Sequence, residues 1–301
     1  MEDRLSKFAH LVDAGSFTRA AEGLHISQPA LSMAIHKLER ELASQLYVRG
    51  SQPLAATSAG LYAYKAAKEV GASVRYLQKN LDELAYREIS LAIGMIDSAA
   101  DIVLAQNKSL RTLENQAKVS LVINNSRYLL QALERGEIDV AFVVEQARPY
   151  ESRVQVQRIG SEPLVVAAHH KQLPAIARQI AEGTLTSFVG YDHPSYTYAT
   201  IHQFFEERHV ALSPQFYSSS PDVIQRLMMA QKGAAALPYG RIRTSLRRQV
   251  VCPVPVIGDA IITRHITCAH RQNYVLPQVI QATIAQLSAD LQTMCLEASD
   301  I

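Results

Sequence analysis

The chain has 301 residues, of which 48% are hydrophobic and 19% are charged, and its formal net charge is +2. This length predicts two or three compact domains, and the composition is typical of a globular protein with a substantial core. A charge so near zero neither requires nor excludes a nucleic-acid partner. No run of eighteen apolar residues is present, which argues against a transmembrane helix. The first ten residues carry no signal-peptide core, so we expect a cytoplasmic protein.

Two short helices joined by a tight turn are predicted between Ser16 and Leu42. Ser16 and Ser27 stand where each helix would begin, and serine at that position caps a helix by accepting a backbone N–H. Pro29 fits only in a first helical turn. The second helix has one apolar stripe, formed by Leu31, Ile35, Leu38 and Leu42. This pattern is typical of a helix-turn-helix, although an ordinary pair of packed helices has similar spacing.

Specific motifs follow one another here in a fixed order. They are Gly15–Ala21 (GSFTRAA), Leu24–Ser32 (LHISQPALS), Leu38–Leu42 (LEREL), Leu46–Arg49 (LYVR) and Thr57–Gly60 (TSAG). Together they resemble the N-terminal winged helix-turn-helix of LysR-type transcriptional regulators, and the resemblance extends over essentially the whole chain. It implies sequence-specific recognition of double-stranded promoter DNA under the control of a small-molecule effector.

For DNA, we expect the start of the second helix to lie in the groove. Gln28 is suited to reading adenine, whereas phosphate contacts position the protein without specifying sequence. The expected DNA-binding residues are Thr18, Ser27, Gln28, Pro29, Ser32, His36, Arg49 and Thr57. Two positions depart from the family pattern, since Met33 and Gln52 stand where basic residues are usual. Both changes remove positive charge and predict weaker phosphate binding or fewer guanine contacts.

A long helix is predicted from about Ser58. Its apolar residues recur in a heptad stripe formed by Val70, Val74, Leu77, Leu81 and Leu84. In the resembled family this helix, here residues 59–87, follows the DNA-binding domain (residues 1–58) and pairs two chains. We therefore expect a homodimer through this linker helix, extended to a homotetramer by contacts between effector domains.

From Ile89 onward, predicted strands and helices alternate in two halves, which indicates an α/β fold. The halves resemble the bilobed α/β effector domain of the same family, which is similar to type 2 periplasmic binding proteins. The resemblance divides residues 88–301 into subdomain I (88–161 with 266–301) and subdomain II (162–265).

A ligand site is expected in the crevice between the halves, because open α/β sheets bind ligands beyond the carboxyl ends of their strands. This rule selects several segments, among them Tyr191–Tyr198 and Thr263–His265. The expected effector-binding residues are Asp97, Ser98, Ala99, Glu145, His193, Ser195, Tyr196, Thr197, Ser219 and His265. Ser98 and Ser195–Thr197 could donate to a carboxylate, whereas Asp97 would repel one and leaves room for a hydroxyl or an amine.

Other functions have weaker support. No G-x-S-x-G or H-E-x-x-H motif is present, so we expect no catalytic residues, no metal site and no cofactor. A solute-binding protein would explain the C-terminal architecture but not the DNA-binding module or the missing export signal. Cys252 and Cys268 could form a redox-sensing pair, although buried structural thiols are the favoured interpretation.

Overall fold

A computed structural model describes residues 1–51, 53–86, 90–105, 118–145, 154–192, 195–254, 261–272, 274–276 and 278–299. The chain divides into two compact units, Met1–Arg87 with Glu134–Glu137 and Glu88–Leu133 with Ile138–Ile301. None of the helices within the described ranges combines the length and the apolar character needed to cross a membrane.

The first unit is helical. Its helices are α1 (Glu2–Ala14), α2 (Phe17–Gly23), α3 (Gln28–Glu41) and α4 (Ser58–Tyr86). Gly15 ends α1 in the left-handed conformation, with φ 64°, which glycine adopts without steric cost. The apolar stripe of α3 forms a core with α1, because Phe8, Leu11, Leu31, Ile35 and Leu38 are fully buried. The predicted pair of helices between Ser16 and Leu42 is therefore present.

The wing after α3 is smaller than expected. The sequence predicts two short strands, Leu46–Arg49 and Leu54–Thr57, joined by a turn at Gly50–Pro53, but the described residues there form a single antiparallel bridge between Tyr47 and Ala56. Two backbone hydrogen bonds flank the bridge, one from Val48 N to Ala55 O (2.8 Å) and one from Thr57 N to Leu46 O (3.0 Å). Gln52, at the expected tip, lies outside the described residues.

The second unit is built on a sheet that has seven strands within the described residues. They are β1 (Ser90–Met95), β2 (Lys118–Ile123), β3 (Val140–Val144), β4 (Val154–His169), β9 (Ala235–Pro238), β10 (Val251–Pro253) and β11 (Ile261–Arg271). The strand order is β10-β4-β11-β3-β1-β2, and β9 pairs with β4. Small two-stranded sheets are formed by β5 (Thr184–Leu185) with β7 (Ala211–Leu212) and by β6 (Val189–Tyr191) with β8 (Phe216–Ser218). The β1, β2 and β3 strands are parallel, as the almost wholly apolar sequence Ile138–Val144 predicts.

Helices cover the sheet and complete two lobes. They are α5 (Asp97–Ala105), α6 (Ser126–Glu134), α7 (Leu173–Ala181), α8 (Tyr196–Glu206), α9 (Pro221–Met229), α10 (Tyr239–Arg247) and α11 (Gln278–Ala298). The first lobe comprises β1–β3 with α5, α6 and most of α11, and the second comprises β5–β10 with α7–α10. Each lobe has its own core, and both cores are formed largely by aliphatic side chains.

Two long strands pass from one lobe to the other. β4 and β11 pair antiparallel over most of their length, and β11 also pairs with β3. Ile159 and Ile266 belong to the first core, whereas Leu164 and Ile262 belong to the second. The crossing point therefore lies near residues 160–165 of β4. The sequence predicts a strand only over residues 164–169, so the largely polar first half of β4 departs from that prediction.

Candidate functional site

The start of α3 is an exposed polar turn. Ser27 caps the helix by accepting the N–H of Ala30 at 3.3 Å, as predicted, and Ser27, Gln28 and Pro29 are exposed. Ser16 occupies the corresponding position before α2, but its side chain makes no capping hydrogen bond. Because Leu31, Ile35 and Leu38 hold the opposite face of α3 in the core, this turn projects from the unit. Met33 lies on the same outer surface and is 67% exposed.

Carboxylates fix α3 to its neighbours. Glu39 is buried, its Oε1 accepts the N–H of Leu46 at 2.9 Å, and its Oε2 lies 3.2 Å from Nδ1 of His36. Glu41 accepts two hydrogen bonds from Arg4 Nη2, at 2.7 and 2.9 Å, and this contact lowers the pKa of the Glu41 carboxyl. The LEREL motif thus orients the helix and the start of the wing.

Thr57 and Gly60 connect the wing to α4. The Thr57 hydroxyl donates to Gln45 O at 2.6 Å and accepts the N–H of Gly60 at 3.0 Å. A Cβ at Gly60 would collide with the carbonyl oxygen of Leu46, so the close approach of wing and helix requires glycine. These contacts give the TSAG motif a structural role.

A cavity of about 290 Å³ opens in the second unit, lined from both lobes. Four helix N-termini meet there, those of α5, α6, α8 and α9. Its lining includes Ile96, Asp97, Ser98, Asn124, Asn125, Ser126, Arg127, Val144, Tyr191, Asp192, Ser195, Tyr196, Thr197, Ser219, Pro221 and Arg264. The volume is close to the lower limit for ligand pockets, which have about 300–1,000 Å³. Helix N-termini carry partial positive charge and unpaired N–H groups, which favours anionic groups.

Arg264 forms the polar centre of this cavity. It donates from Nε to Oε2 of Glu162 at 2.6 Å, from Nη1 to the hydroxyl of Thr197 at 2.6 Å and from Nη2 to the hydroxyl of Ser98 at 3.0 Å. All four side chains are buried. Ser98 lies in the first turn of α5 in the first lobe, and Thr197 lies in the first turn of α8 in the second. One guanidinium therefore joins the helix starts of both lobes.

Tyr191 lines the cavity at the end of β6 and is only 6% exposed. Its hydroxyl has no hydrogen-bond partner among the described residues. Burial raises the pKa of this phenol to about 12, so it is a hydrogen-bond donor at any physiological pH. A buried hydroxyl without a partner costs free energy, which a bound polar molecule would recover.

Family models match both units. Residues 3–61 match the model described as "Bacterial regulatory helix-turn-helix protein, lysR family", and residues 87–292 match the "LysR substrate binding domain". The second match alone covers more than half of the chain. The chain belongs to the LysR family of transcriptional regulators. It combines a helix-turn-helix DNA-binding domain with an effector-binding domain. The chain is therefore a transcriptional regulator rather than the solute-binding protein considered above.

Relatives of this LysR-type regulator include the RuBisCO operon transcriptional regulator of Allochromatium vinosum, 24% identical over 258 residues and 85% of each chain. CatR of Pseudomonas putida is 36% identical over 169 residues, 54% of this chain and 55% of that protein, so this alignment spans about half of each. Among solved structures, ArgP of Mycobacterium tuberculosis has a TM-score of 0.62 at 18% identity, with 95% of both chains covered. DarR of Vibrio fischeri in complex with DNA has a TM-score of 0.54 at 19% identity, covering 96% and 98%. At such identities the two structures are informative about the fold alone.

The residues expected at the DNA differ in their availability. Thr18, Ser27, Gln28, Pro29 and Arg49 are exposed in the regulator, and Ser32 and His36 are half-buried. Thr57 does not fit the expected phosphate contact well, because its hydroxyl proton and an oxygen lone pair are already used within the domain.

Of the expected effector-binding residues, six line the cavity: Asp97, Ser98, Ser195, Tyr196, Thr197 and Ser219. Three lie outside the lining. Ala99 is packed in the first core, Glu145 pairs with Arg158 at 2.6 Å, and His265 lies 3.1 Å from the hydroxyl of Ser161. His193 lies outside the described residues.

The sequence prediction missed the segment that precedes α6. From the sequence, Ser126 is the predicted cap of this helix, but the structure has Asn125 as the cap, with its Oδ1 accepting the N–H of Tyr128 at 2.9 Å. Ser126 instead accepts the N–H of Val144 at 3.0 Å. Asn124 and Arg127 complete this part of the lining. The rule applied to the ends of β1 and β3 would also have selected this segment, since it follows β2 directly.

The cysteines do not form the redox pair considered above. Cys252 pairs with Ala168 of β4, whereas Cys268 pairs with Gln157 of the same strand. At about 3.3 Å per residue these positions are roughly 35 Å apart along β4, far beyond the Cα separation of about 4.4–6.8 Å in a disulfide. Cys268 is fully buried, and burial raises the pKa of its thiol to about 12.

Proposed function

We propose that this regulator binds promoter DNA through the turn Ser27–Ser32, the recognition turn. We further propose that a small molecule controls it by binding in the cavity around Arg264, the Arg264 cavity. The observation that carries the proposal is the Arg264 network, because it joins helix starts of both lobes at the wall of a ligand-sized cavity. A molecule bound there would contact both lobes at once and would favour one relation between them. The regulator would thus act in the cytoplasm through binding, without catalysis.

Pairing of two chains through α4 is part of this proposal. Val70, Leu77 and Leu81 lie on the predicted heptad stripe and are 37%, 57% and 54% exposed. Val74 is half-buried, and the side chain of Leu84 lies outside the described residues. Exposed apolar residues at heptad spacing are typical of a coiled-coil seam. A homodimer would bring two recognition turns to two half-sites, and effector-domain contacts would extend it to a homotetramer.

The DNA part is tested by selecting operator sequences from a random duplex pool with the full chain. Gln28→Ala should abolish discrimination between the selected and scrambled duplexes in gel shifts, while non-specific binding remains. Arg178→Ala, on α7 of the effector domain, is the control and should leave discrimination intact. Unchanged discrimination by the Gln28→Ala protein would contradict the assignment of this turn.

A further inference from the structure

The charged groups of the cavity differ in whether they are already neutralised. Arg264 is buried against Glu162, and it also donates one N–H from Nη2 to Ser98 and one from Nη1 to Thr197. Its charge is therefore balanced within the protein and is not free for a ligand. The cavity thus differs from a site that binds a carboxylate through an unpaired buried arginine.

The hydroxyls of Ser98 and Thr197 are oriented by this arrangement. Each accepts an N–H from Arg264, so each must direct its own proton elsewhere. Both residues line the cavity, from opposite lobes. Arg264 is thus a positioning residue that presents two neutral donors to whatever the cavity holds. Two hydroxyl donors at helix N-termini suit one end of an anionic group.

The carboxylate of Asp97 indicates a second chemical group on the ligand. Its carboxylate is half-buried in the cavity wall and makes no hydrogen bond or ion pair within the described part of the chain. It does not serve as a helix cap, unlike Asn125 and Ser195, whose side chains accept first-turn N–H groups at 2.9 and 3.0 Å. A half-buried carboxylate without a partner favours a cation.

The exposed rim carries both signs of charge, with Arg127 and Asp192 each lining the cavity. Between the walls lies the Tyr191 hydroxyl, a buried donor that has no partner in the described ranges. The lining therefore offers donors for an anion, an unpaired acceptor for a cation and a further buried donor, all within about 290 Å³.

We propose that the effector is a small zwitterion of the α-amino-acid class, with its ammonium group on Asp97 and its carboxylate on the hydroxyls of Ser98 and Thr197. This inference rests on the proposed function, since it specifies the ligand of that same cavity. An acid without an ammonium group would leave Asp97 uncompensated beside its own negative charge. An amine without a carboxylate would leave the two oriented donors unused.

The test uses the full chain and three matched sets of probes. The proteinogenic L-amino acids are screened at millimolar concentration by thermal shift, because a ligand of the folded state raises its melting temperature. Each amino acid that binds is then compared, by calorimetry, with the 2-hydroxy acid and the primary amine of the same carbon skeleton. We expect both analogues to bind at least about tenfold more weakly than the amino acid.

Asp97→Asn should weaken amino-acid binding at least about tenfold. It should also bring the affinity for the amino acid closer to the affinity for the 2-hydroxy acid of the same carbon skeleton. The matched control is Asp222→Asn, which removes a carboxylate from the first turn of α9 where it faces Arg226 and Arg241. This control should leave amino-acid affinity unchanged. Absence of a shift with every amino acid, equal binding of the 2-hydroxy acid, or full affinity in Asp97→Asn would each overturn the inference.

A parallel screen of mono- and dicarboxylic acids distinguishes this inference from the function on which it rests. If such an acid binds and Ser98→Ala weakens it, the cavity is the effector site but the zwitterion assignment is wrong. If ligands bind with affinities that neither Asp97→Asn nor Ser98→Ala changes, both the assignment and the proposed effector site are wrong.

Discussion

Arg264 and Glu162 lie opposite each other in the register of β11 and β4, and Arg264 Nε donates to Glu162 Oε2 at 2.6 Å. The pair stands where the strands pass from one lobe to the other, between Ile266 and Ile262 on β11. Ion pairs in such buried places are weak evidence for stability, because desolvation opposes their attraction. Arg264 also donates to the hydroxyls of Ser98 and Thr197, and these contacts give the ion pair a role in the cavity.

Glu162→Leu is expected to destabilise the regulator strongly. It leaves the Arg264 charge buried without its counter-ion, which typically lowers the free energy of unfolding by about 3–5 kcal/mol. The double variant Glu162→Leu with Arg264→Met should recover most of that loss, because well-packed apolar groups often replace buried ion pairs at little cost. Urea unfolding measures both effects. The double variant should still fail to bind the effector, since Ser98 and Thr197 lose their orientation. A single variant as stable as the wild type would contradict this account.

Tyr191→Phe should separate binding from stability. Removing a buried hydroxyl that has no described partner should leave the free energy of unfolding unchanged or slightly higher. If this hydroxyl donates to the effector, the same change should weaken effector binding by about 0.5–1.5 kcal/mol. Calorimetry and urea unfolding provide the two readouts. Tyr217→Phe, an exposed tyrosine on β8, is the control. Loss of stability without loss of affinity would show that the hydroxyl has a structural partner.

Met33→Arg should change how DNA affinity depends on salt. Met33 is exposed beside the recognition turn, so an arginine there could reach a phosphate. Each added phosphate contact steepens the dependence of log K on log salt concentration by about 0.9. Fluorescence anisotropy over a series of KCl concentrations measures this slope. Met33→Gln, which adds no charge, should retain the wild-type slope, and an arginine variant with that same slope would place Met33 away from the backbone of the DNA.

Leu77→Asp tests the seam on α4. Leu77 is 57% exposed on the heptad stripe, and a carboxylate at a coiled-coil seam opposes association because it would have to be desolvated. Analytical ultracentrifugation should show that the Leu77→Asp protein, at micromolar concentration, no longer pairs through α4. Gln78→Asp places the same charge on the neighbouring exposed position off the stripe and should leave the oligomer intact. Equal oligomeric states for both variants would exclude this stripe as the interface.

Alkaline pH should destabilise the regulator partly through Cys268. Burial raises the pKa of its thiol from about 9 to about 12 in the folded chain. Between these values the unfolded chain releases a proton that the folded chain retains, so stability falls as pH rises above about 9. The contribution of one such group reaches about 1.4 kcal/mol per pH unit. Urea midpoints measured from pH 8 to 11 should fall less steeply for Cys268→Ala than for the wild type, and parallel curves would contradict the assignment.

The local parts of the fold follow from the sequence. The α3 stripe and the buried run of β3 each depend on neighbours within one or two turns or on a single strand, and the structure contains both. Gly15 likewise ends α1 through its own left-handed conformation, which glycine favours. The wing and the first half of β4 are governed by tertiary contacts instead. Residues 154–163 are largely polar, and they form a strand because β11 pairs with them on both sides of a bulge at Ile159.

The cavity follows from the sequence only in part. Asp97, Ser98 and Thr197 were identified because helix starts after strands are recognisable in the sequence. The pairing of Arg264 with Glu162 depends on the register of two strands about a hundred residues apart in the chain, which no local pattern specifies. The same is true of the Tyr191 hydroxyl, whose lack of a hydrogen-bond partner among the described residues is a property of the folded environment.

We expect occupation of the Arg264 cavity and binding of DNA by the turn Ser27–Ser32 to be energetically coupled. This coupling is tested most directly by calorimetric titration of the full chain with the effector found by thermal shift, with and without a saturating selected operator duplex. Linkage requires that the duplex change effector affinity by the same factor as the effector changes duplex affinity, typically about 5–150-fold. We expect matching factors in this range for the wild type and their loss in Ser98→Ala. Identical effector affinity with and without the duplex would contradict the account.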